Sequence, residues 1–185
     1  MLLSAAFFFT ESIVEALCIS WSSSFLVETK GFPAASAARC IMFYFAGLAI
    51  GRLLSGFVSG RISTWRVFGI GMALLVAGGA VLAVARSAVI LVFALFLVGC
   101  GVAPMFPGMV YLTPRNFGEE VSQSVIGFES AAAYSCMLLM PIVFGAFTRF
   151  FSTDLFPYFI LAATVLHLAV TEALKKSLKN KESRP

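Results

Sequence analysis

The 185-residue chain is too apolar for a water-soluble fold. Hydrophobic residues make up 60% of it and charged residues only 12%, so a soluble protein of this composition would lack the polar surface to cover its exterior. The net charge of +4 comes from basic residues that stand singly between apolar runs, except near the C-terminus. This distribution is typical of a membrane protein and argues against a nucleic-acid-binding protein.

Six apolar segments in chain order predict an all-α membrane protein with six transmembrane helices, because a spanning helix needs roughly 20 residues. These spans leave no room for a soluble catalytic domain. We predict a transmembrane domain over residues 1–174 and a basic, disordered tail over 175–185 that meets anionic headgroups. The predicted spans are Leu3–Val27, Ser36–Val58, Val67–Ala85, Ala88–Leu112, Val121–Phe147 and Leu155–Leu174.

The distribution of basic residues predicts the topology. An even number of spans puts both termini on one side, and that side holds more lysine and arginine, so we expect both termini in the cytoplasm. The terminal side holds Arg61, Arg66, Arg115, Lys175, Lys176, Lys179, Lys181 and Arg184; the other holds Lys30, Arg39, Arg86 and Arg149. The start MLLSAAFFF lacks a basic leader and a clear cleavage site, which argues against a signal peptide. We interpret it as a chain cut from a longer protein or as a half-length gene product.

Acidic residues within the predicted spans are the first candidates for function. A carboxylate at membrane depth normally faces a bundle interior or an aqueous cavity, and it often marks a pathway or a proton-binding site. Glu11 and Glu15 lie one turn apart on span one, where repulsion favours protonation of one of them. The alternatives are a structural ion pair or a position near the interface. Glu129 on span five lies on a stripe of small residues, so it is either a cavity residue or buried at a helix contact.

Span two combines small residues with arginines. Gly47 and Gly51, and likewise Gly56 and Gly60, are four residues apart, a spacing that lets helix backbones approach closely in lipid. The nearby Arg52 and Arg61 can bridge helix ends through bidentate hydrogen bonds. Alternatively, these two arginines only mark the membrane boundary.

Span four contains the segment GCGVAPMFPG, in which Pro104 and Pro107 remove backbone donors and clash with preceding carbonyls. Lipid cannot satisfy the freed carbonyls, so bent helices occur where they are buried in protein or line a cavity. The two prolines therefore predict a helix bend, which is either a cavity wall with a gating role or a simple structural kink.

The remaining polar and aromatic residues predict less. Trp21 and Tyr134 could stack on a sugar-like solute or pack within the bundle, and His167 is interpreted as structural.

We predict no metal site and no cofactor, since the cysteines lack CxxC spacing and neighbouring histidines, and we interpret them as small packing residues. No HExxH or other recognised catalytic motif is present, so we do not expect an enzyme. The cysteines are Cys18, Cys40, Cys100 and Cys136.

The run GLAIGRLLSGFVSGR between spans two and three resembles the signature loop of the major facilitator superfamily, in its C-terminal-half form GRxxxGxxADR. Gly51, Arg52, Gly56 and Arg61 match this pattern, whereas Gly60 stands where the family has Asp. The resemblance implies that the matching residues belong to the signature loop and its gating function.

Two further stretches resemble fucose-permease-like and fungal bypass-of-stop-codon-like members of that superfamily. FFFTESIVEALCISWSSSFLVE is similar to their seventh helix, in which a Glu precedes a Trp by six residues, as Glu15 precedes Trp21. GVAPMFPGMVYLTPRNFG and SVIGFESAAAYSCMLLMPIVFG are similar to their tenth and eleventh helices, although Glu129 stands for an expected Gln and Cys136 for an expected Gly. The resemblance implies half of a twelve-helix fold, with two inverted three-helix repeats around half of a central cavity.

These observations lead to two functional hypotheses. In the first, the chain is half of a transporter for a small polar, sugar-like solute, with Glu15, Trp21, Glu129 and Tyr134 toward the cavity and Arg52 and Arg61 bracing the cytoplasmic gate. Glu11 or Glu15 would couple transport to protons, and a second six-helix half, from a homodimer or a separate N-terminal half, would complete the cavity. In the second, the chain is a non-transporting membrane interaction protein or a truncated remnant.

Overall fold

The computed structural model describes residues 1–182, without the side chains of Ser59, Lys181 and Glu182. The described residues form helices throughout and contain no strand. Six helical spans are long and apolar enough to cross a membrane, which confirms the predicted fold class. The elements are α1 (Leu2–Glu28), α2 (Ala34–Ser59), α3 (Thr64–Val84), α4 (Ala88–Val102), α5 (Met105–Phe117), α6 (Glu119–Thr148), a 3-10 turn (Thr153–Leu155) and α7 (Phe156–Glu182).

The fourth span is built from two helices, because α4 ends at Val102 and α5 begins at Met105. The interruption lies at Ala103 and Pro104, where the prolines predicted a bend. The chain stays nearly continuous across it, since the Ala103 N–H donates to the Gly99 carbonyl and the Gly108 N–H to the Pro104 carbonyl. The interruption of the span therefore leaves neither of these two backbone donors unsatisfied.

A single glycine makes the tight junction between α5 and α6. Gly118 has a φ of 95°, a left-handed conformation that residues with a Cβ rarely adopt. Its N–H donates to the Pro114 carbonyl at 2.9 Å, which caps the end of α5. α6 then begins at the next residue, so the two helices pack against one another as neighbours.

Helix α1 lies at the centre of the bundle and is the most buried span. It packs against α6, α7 and α2, while α4 packs against α2 and α3, and α3 also contacts α7. The two least buried spans, α2 and α6, both contact α1. One face of α1 is therefore bordered by the two helices that bury the least surface within this chain.

Small residues allow α2 and α4 to approach at backbone distance. A Cβ at Gly47 would overlap the carbonyl oxygen of Phe96, and one at Gly51 would lie 2.6 Å from the Cβ of Ala103. The close-packing prediction is thus confirmed for this pair. It is wrong for Gly56 and Gly60, where a Cβ would meet no described atom within 4 Å, because the helix has passed beyond its contact with α4.

The predicted disordered tail is helical as far as the structure describes it, since α7 continues to Glu182. Leu174 is buried in an apolar cluster, and Leu178 packs against the same cluster one turn later. These contacts extend the helix past the predicted end of the span at Leu174. Arg184, which entered the topology prediction, lies outside the described residues.

Candidate functional site

A cavity of about 420 Å³ opens on the face of α1 that lies between α2 and α6. Four helices contribute to it, and α5 of the interrupted fourth span supplies one wall. Its charged residues come from α1 and α2, and its exposed aromatic residue comes from α6. The cavity is lined by Ser12, Glu15, Arg52, Phe106, Pro107, Ala133, Tyr134 and Met137.

Glu15 and Arg52 place opposite charges on this cavity. Glu15 lies midway along the 27-residue helix α1 and is half-buried, whereas Arg52 is exposed. The two groups attract one another electrostatically, yet among the described side chains they form no ion pair within 4.0 Å. A carboxylate offers only acceptors and a guanidinium only donors, so the pair can bind polar groups of both kinds.

Tyr134 adds a large aromatic surface to the same cavity, because its side chain is 65% exposed. Pro107 and Phe106 form the facing wall on α5. Pro107, in the first turn of α5, lines the cavity, whereas Pro104 at the interruption does not. The cavity as a whole combines aromatic rings with charged groups, a combination that is common in sites for small polar molecules.

Glu11 lies deeper than Glu15 and is enclosed by protein, with only 3% of its surface exposed. The Ser12 hydroxyl donates to its Oε2 at 3.3 Å, while Oε1 has no hydrogen-bond partner among the described atoms. Glu11 and Glu15 interact electrostatically. The two carboxyl groups of α1 therefore occupy different environments, one open to the cavity and one closed.

Tyr44 on α2 is a polar residue of this region that the sequence analysis missed. Its side chain is fully buried, and its hydroxyl has no hydrogen-bond partner among the described atoms. The signal in the sequence was weak, since a tyrosine in an apolar span is usually a packing residue. Only the packing of α2 on α1 and α4 encloses this hydroxyl in the apolar cluster.

Glu129 does not line the cavity, although it lies on the same helix as Tyr134. It is fully buried, and the Thr113 hydroxyl donates to its Oε2 at 2.9 Å. The Glu129 Oε1 has no hydrogen-bond partner among the described atoms. The contact joins α5 to α6 and corresponds to the helix-contact alternative for Glu129.

Trp21 also lies away from the cavity of Glu15. Six helical residues separate the two, or about 9 Å along the axis. The Trp21 indole N–H donates to the Pro141 carbonyl at 3.2 Å, and its ring packs edge-on against Phe144 at 5.3 Å between centroids. Gly145 leaves room for this ring. Trp21 therefore joins α1 to α6 and lines a separate depression of about 820 Å³.

The signature-loop residues separate into different surroundings. Arg52 lines the cavity with Glu15, and Gly51 packs on α4. Gly56 borders a smaller cavity of about 230 Å³ that also contains Arg52. Arg61 lies exposed in the turn that follows α2, nine residues beyond Arg52. Arg52 and Arg61 therefore do not share a contact in this structure.

His167 on α7 is a buried contact to α1. Its Nδ1 lies 2.9 Å from the Thr10 hydroxyl, and its ring packs against Phe7 at 4.5 Å between centroids. Cys18, Cys40 and Cys136 are buried as free thiols, and Cys100 is partly buried. No group of three or more potential metal ligands occurs within the described part of the chain.

Comparison with known proteins identifies the family. The family model of the Major Facilitator Superfamily matches residues 1–183, which is nearly the whole chain. No curated protein sequence matches the chain significantly. The match agrees with the six apolar spans. The chain therefore belongs to the Major Facilitator Superfamily and is an integral membrane transporter protein of that kind.

Proposed function

We propose that this chain forms half of an alternating-access transporter for a small polar solute such as a sugar, and that the cavity of Glu15, Arg52 and Tyr134 contacts the solute. The observation that carries the proposal is the placement of Glu15 and Arg52 in one open cavity without a direct ion pair. Solute hydroxyl groups can donate to the carboxylate and accept from the guanidinium. The exposed Tyr134 ring offers a surface for the apolar face of a sugar.

The exposure of Arg52 and Tyr134 at the cavity supports the proposal of a second half. Arg52 and Tyr134 are exposed in the isolated chain, and a charged group that faces lipid is energetically costly. The flanking helices α2 and α6 also expose apolar side chains on the chain surface. A homodimer or a separate N-terminal half would cover the polar wall. The exposed side chains include Leu53, Leu54 and Phe57 on α2 and Leu138, Leu139 and Ile142 on α6.

Proton coupling is part of the proposal, and we assign it to Glu15 first. Glu15 opens to the cavity, whereas Glu11 is closed off one turn away, so a proton from the cavity reaches Glu15 more directly. Binding of a proton at Glu15 would remove its attraction to Arg52 and so change the donors and acceptors presented to the solute. We retain the placement of both termini in the cytoplasm on the distribution of lysine and arginine.

The test is solute uptake by the purified chain in proteoliposomes with an imposed pH gradient, together with its stoichiometry in lipid. A hydrogen bond to a charged group contributes about 1.5–3 kcal/mol, so Arg52→Gln should weaken solute affinity at least about tenfold. Tyr134→Ala should also weaken it. Ser135→Ala is the matched control, because the Ser135 hydroxyl donates to the Ala131 carbonyl of its own helix.

Two outcomes separate the parts of this proposal. If Glu15→Gln leaves uptake driven by the pH gradient unchanged, proton coupling through Glu15 is wrong, while the solute cavity remains testable through Arg52. A monomeric chain without uptake of any sugar or related solute would overturn the possibility that this chain transports solute without a separate second half. In that case the chain would be tested with a co-expressed N-terminal half, and failure there would favour the non-transporting membrane interaction protein.

A further inference from the structure

A second polar cavity lies at the opposite end of the bundle from the chain termini. Its volume is about 680 Å³, and α1, α3, α7 and the connections at their ends enclose it. None of its residues belongs to the cavity of Glu15. It is lined by Phe25, Thr29, Lys30, Ala83, Val84, Arg86, Asp154, Pro157 and Tyr158.

This cavity carries two cationic groups and one anionic group. Lys30 follows the end of α1, Arg86 follows the end of α3, and Asp154 precedes α7. None of the three forms an ion pair within 4.0 Å among the described side chains. The Lys30 Nζ lies 5.4 Å from the centroid of the Phe25 ring. The cavity therefore offers both signs of charge, with cations in excess.

The acidic group of this cavity is held in position by its neighbours. The Asp154 N–H donates to the Ser152 hydroxyl at 3.1 Å. Thr29 contacts the Thr153 hydroxyl at 3.2 Å. These contacts fix the turn before α7 against the end of α1, and so they fix the backbone from which the Asp154 carboxylate projects.

The position of the cavity indicates a lipid rather than a soluble ligand. The ends of spanning helices lie at the level of the headgroups, and all three charged residues are at such ends. Beside them, Val84 is 79% exposed and Tyr158 is 57% exposed. These side chains place an exposed apolar surface directly beside the charged groups, against which the start of an acyl chain can pack.

We propose that this cavity binds a phospholipid whose headgroup carries both a phosphate and a primary ammonium group. Lys30 and Arg86 would bind the phosphate, since Arg and Lys are the usual partners of phosphate oxygens. Asp154 would accept hydrogen bonds from the ammonium group. The acyl chain beside the headgroup would lie over Val84. The bound lipid would join the ends of α1, α3 and α7.

The test counts lipids that remain bound to the purified full chain. The protein is reconstituted with equal amounts of phosphatidylethanolamine, phosphatidylglycerol and phosphatidylcholine, extracted in mild detergent and analysed by native mass spectrometry. We expect phosphatidylethanolamine to be enriched over phosphatidylcholine, whose methylated headgroup has no N–H to donate. The double variant Lys30→Gln/Arg86→Gln should lower its retention at least about tenfold, as expected for lost charged hydrogen bonds.

Further variants separate the roles of the charged groups. Asp154→Asn should remove the preference for phosphatidylethanolamine over phosphatidylglycerol without reducing the retention of phosphatidylglycerol. The conservative variant Lys30→Arg should retain the lipid. Arg39→Gln is the matched control, since Arg39 lies at the same end of the bundle but donates to the Ala35 carbonyl of its own helix.

Three results would overturn the proposal. The first is wild-type retention of phosphatidylethanolamine by the double variant, provided that circular dichroism and gel filtration show it to be folded. The second is an equal loss in Arg39→Gln, which would indicate a general effect of surface charge. The third is displacement of the lipid by an excess of inorganic phosphate, which would assign the cavity to a soluble phosphate ligand instead.

Discussion

The substitution Gly47→Ala tests the close contact of α2 with α4 directly. A Cβ at this position would overlap the Phe96 carbonyl oxygen and lie 3.0 Å from the Phe96 carbonyl carbon and 3.1 Å from the Cys100 nitrogen. Carbon atoms pack best at about 3.5–4.0 Å, so the two helices would have to separate by about half an ångström or more. These neighbours are backbone atoms, which cannot move aside as a flexible side chain would.

We expect Gly47→Ala to lower the stability of the protein measurably. Overpacking of this kind costs about 1–3 kcal/mol, and each kcal/mol corresponds to about 2–4 °C in the unfolding midpoint of a chain of this size. The predicted decrease is therefore about 2–12 °C in thermal unfolding, followed in one mild detergent. Because α2 also carries Arg52 to the cavity, the shift should weaken solute affinity as well.

Gly56→Ala is the matched control on the same helix. A Cβ there meets no described atom within 4 Å, and alanine is favoured over glycine within a helix by about 0.5–1 kcal/mol. This variant should unfold at the same temperature as the wild type or slightly higher. Equal decreases for Gly47→Ala and Gly56→Ala would refute the assignment of the α2 and α4 contact, because steric overlap could not be the cause.

Three further substitutions test buried polar contacts through the same unfolding measurement. Thr113→Val leaves the Glu129 Oε2 without its donor and should lower the free energy of unfolding by about 1–3 kcal/mol. Thr113→Ser keeps the hydroxyl and should retain most of the stability. Equal stability of the two variants would contradict the contact. Trp21→Phe removes the donor to the Pro141 carbonyl and should cost about 0.5–1.5 kcal/mol. Tyr44→Phe removes a buried hydroxyl without a described partner and should leave the stability unchanged or raise it; a decrease would reveal an unassigned partner.

Much of the fold could be predicted from the sequence because each membrane span satisfies its own backbone hydrogen bonds within the helix. Long apolar runs therefore locate the spans without knowledge of their neighbours, and Pro104 locates the interruption of span four. The prediction was wrong at the end of the last helix. There, the contact of Leu178 with an apolar cluster extends the helix beyond the apolar run, and no local pattern contains that contact.

The sequence by itself determined the membrane class, the six spans and the acidic and arginine residues to be considered within them. Only the tertiary structure decided that Glu15, Arg52 and Tyr134 share one cavity, whereas Glu129 and Trp21 are held in contacts between helices. The physical reason is that the rotation of a helix about its axis, and so the direction of each side chain, is set by packing against neighbouring helices. The contact of α2 with α4 through Gly47 and Gly51 helps to place Arg52 at the cavity. The rotation of α6 about its axis directs Tyr134 to the cavity and Glu129 to Thr113 on α5.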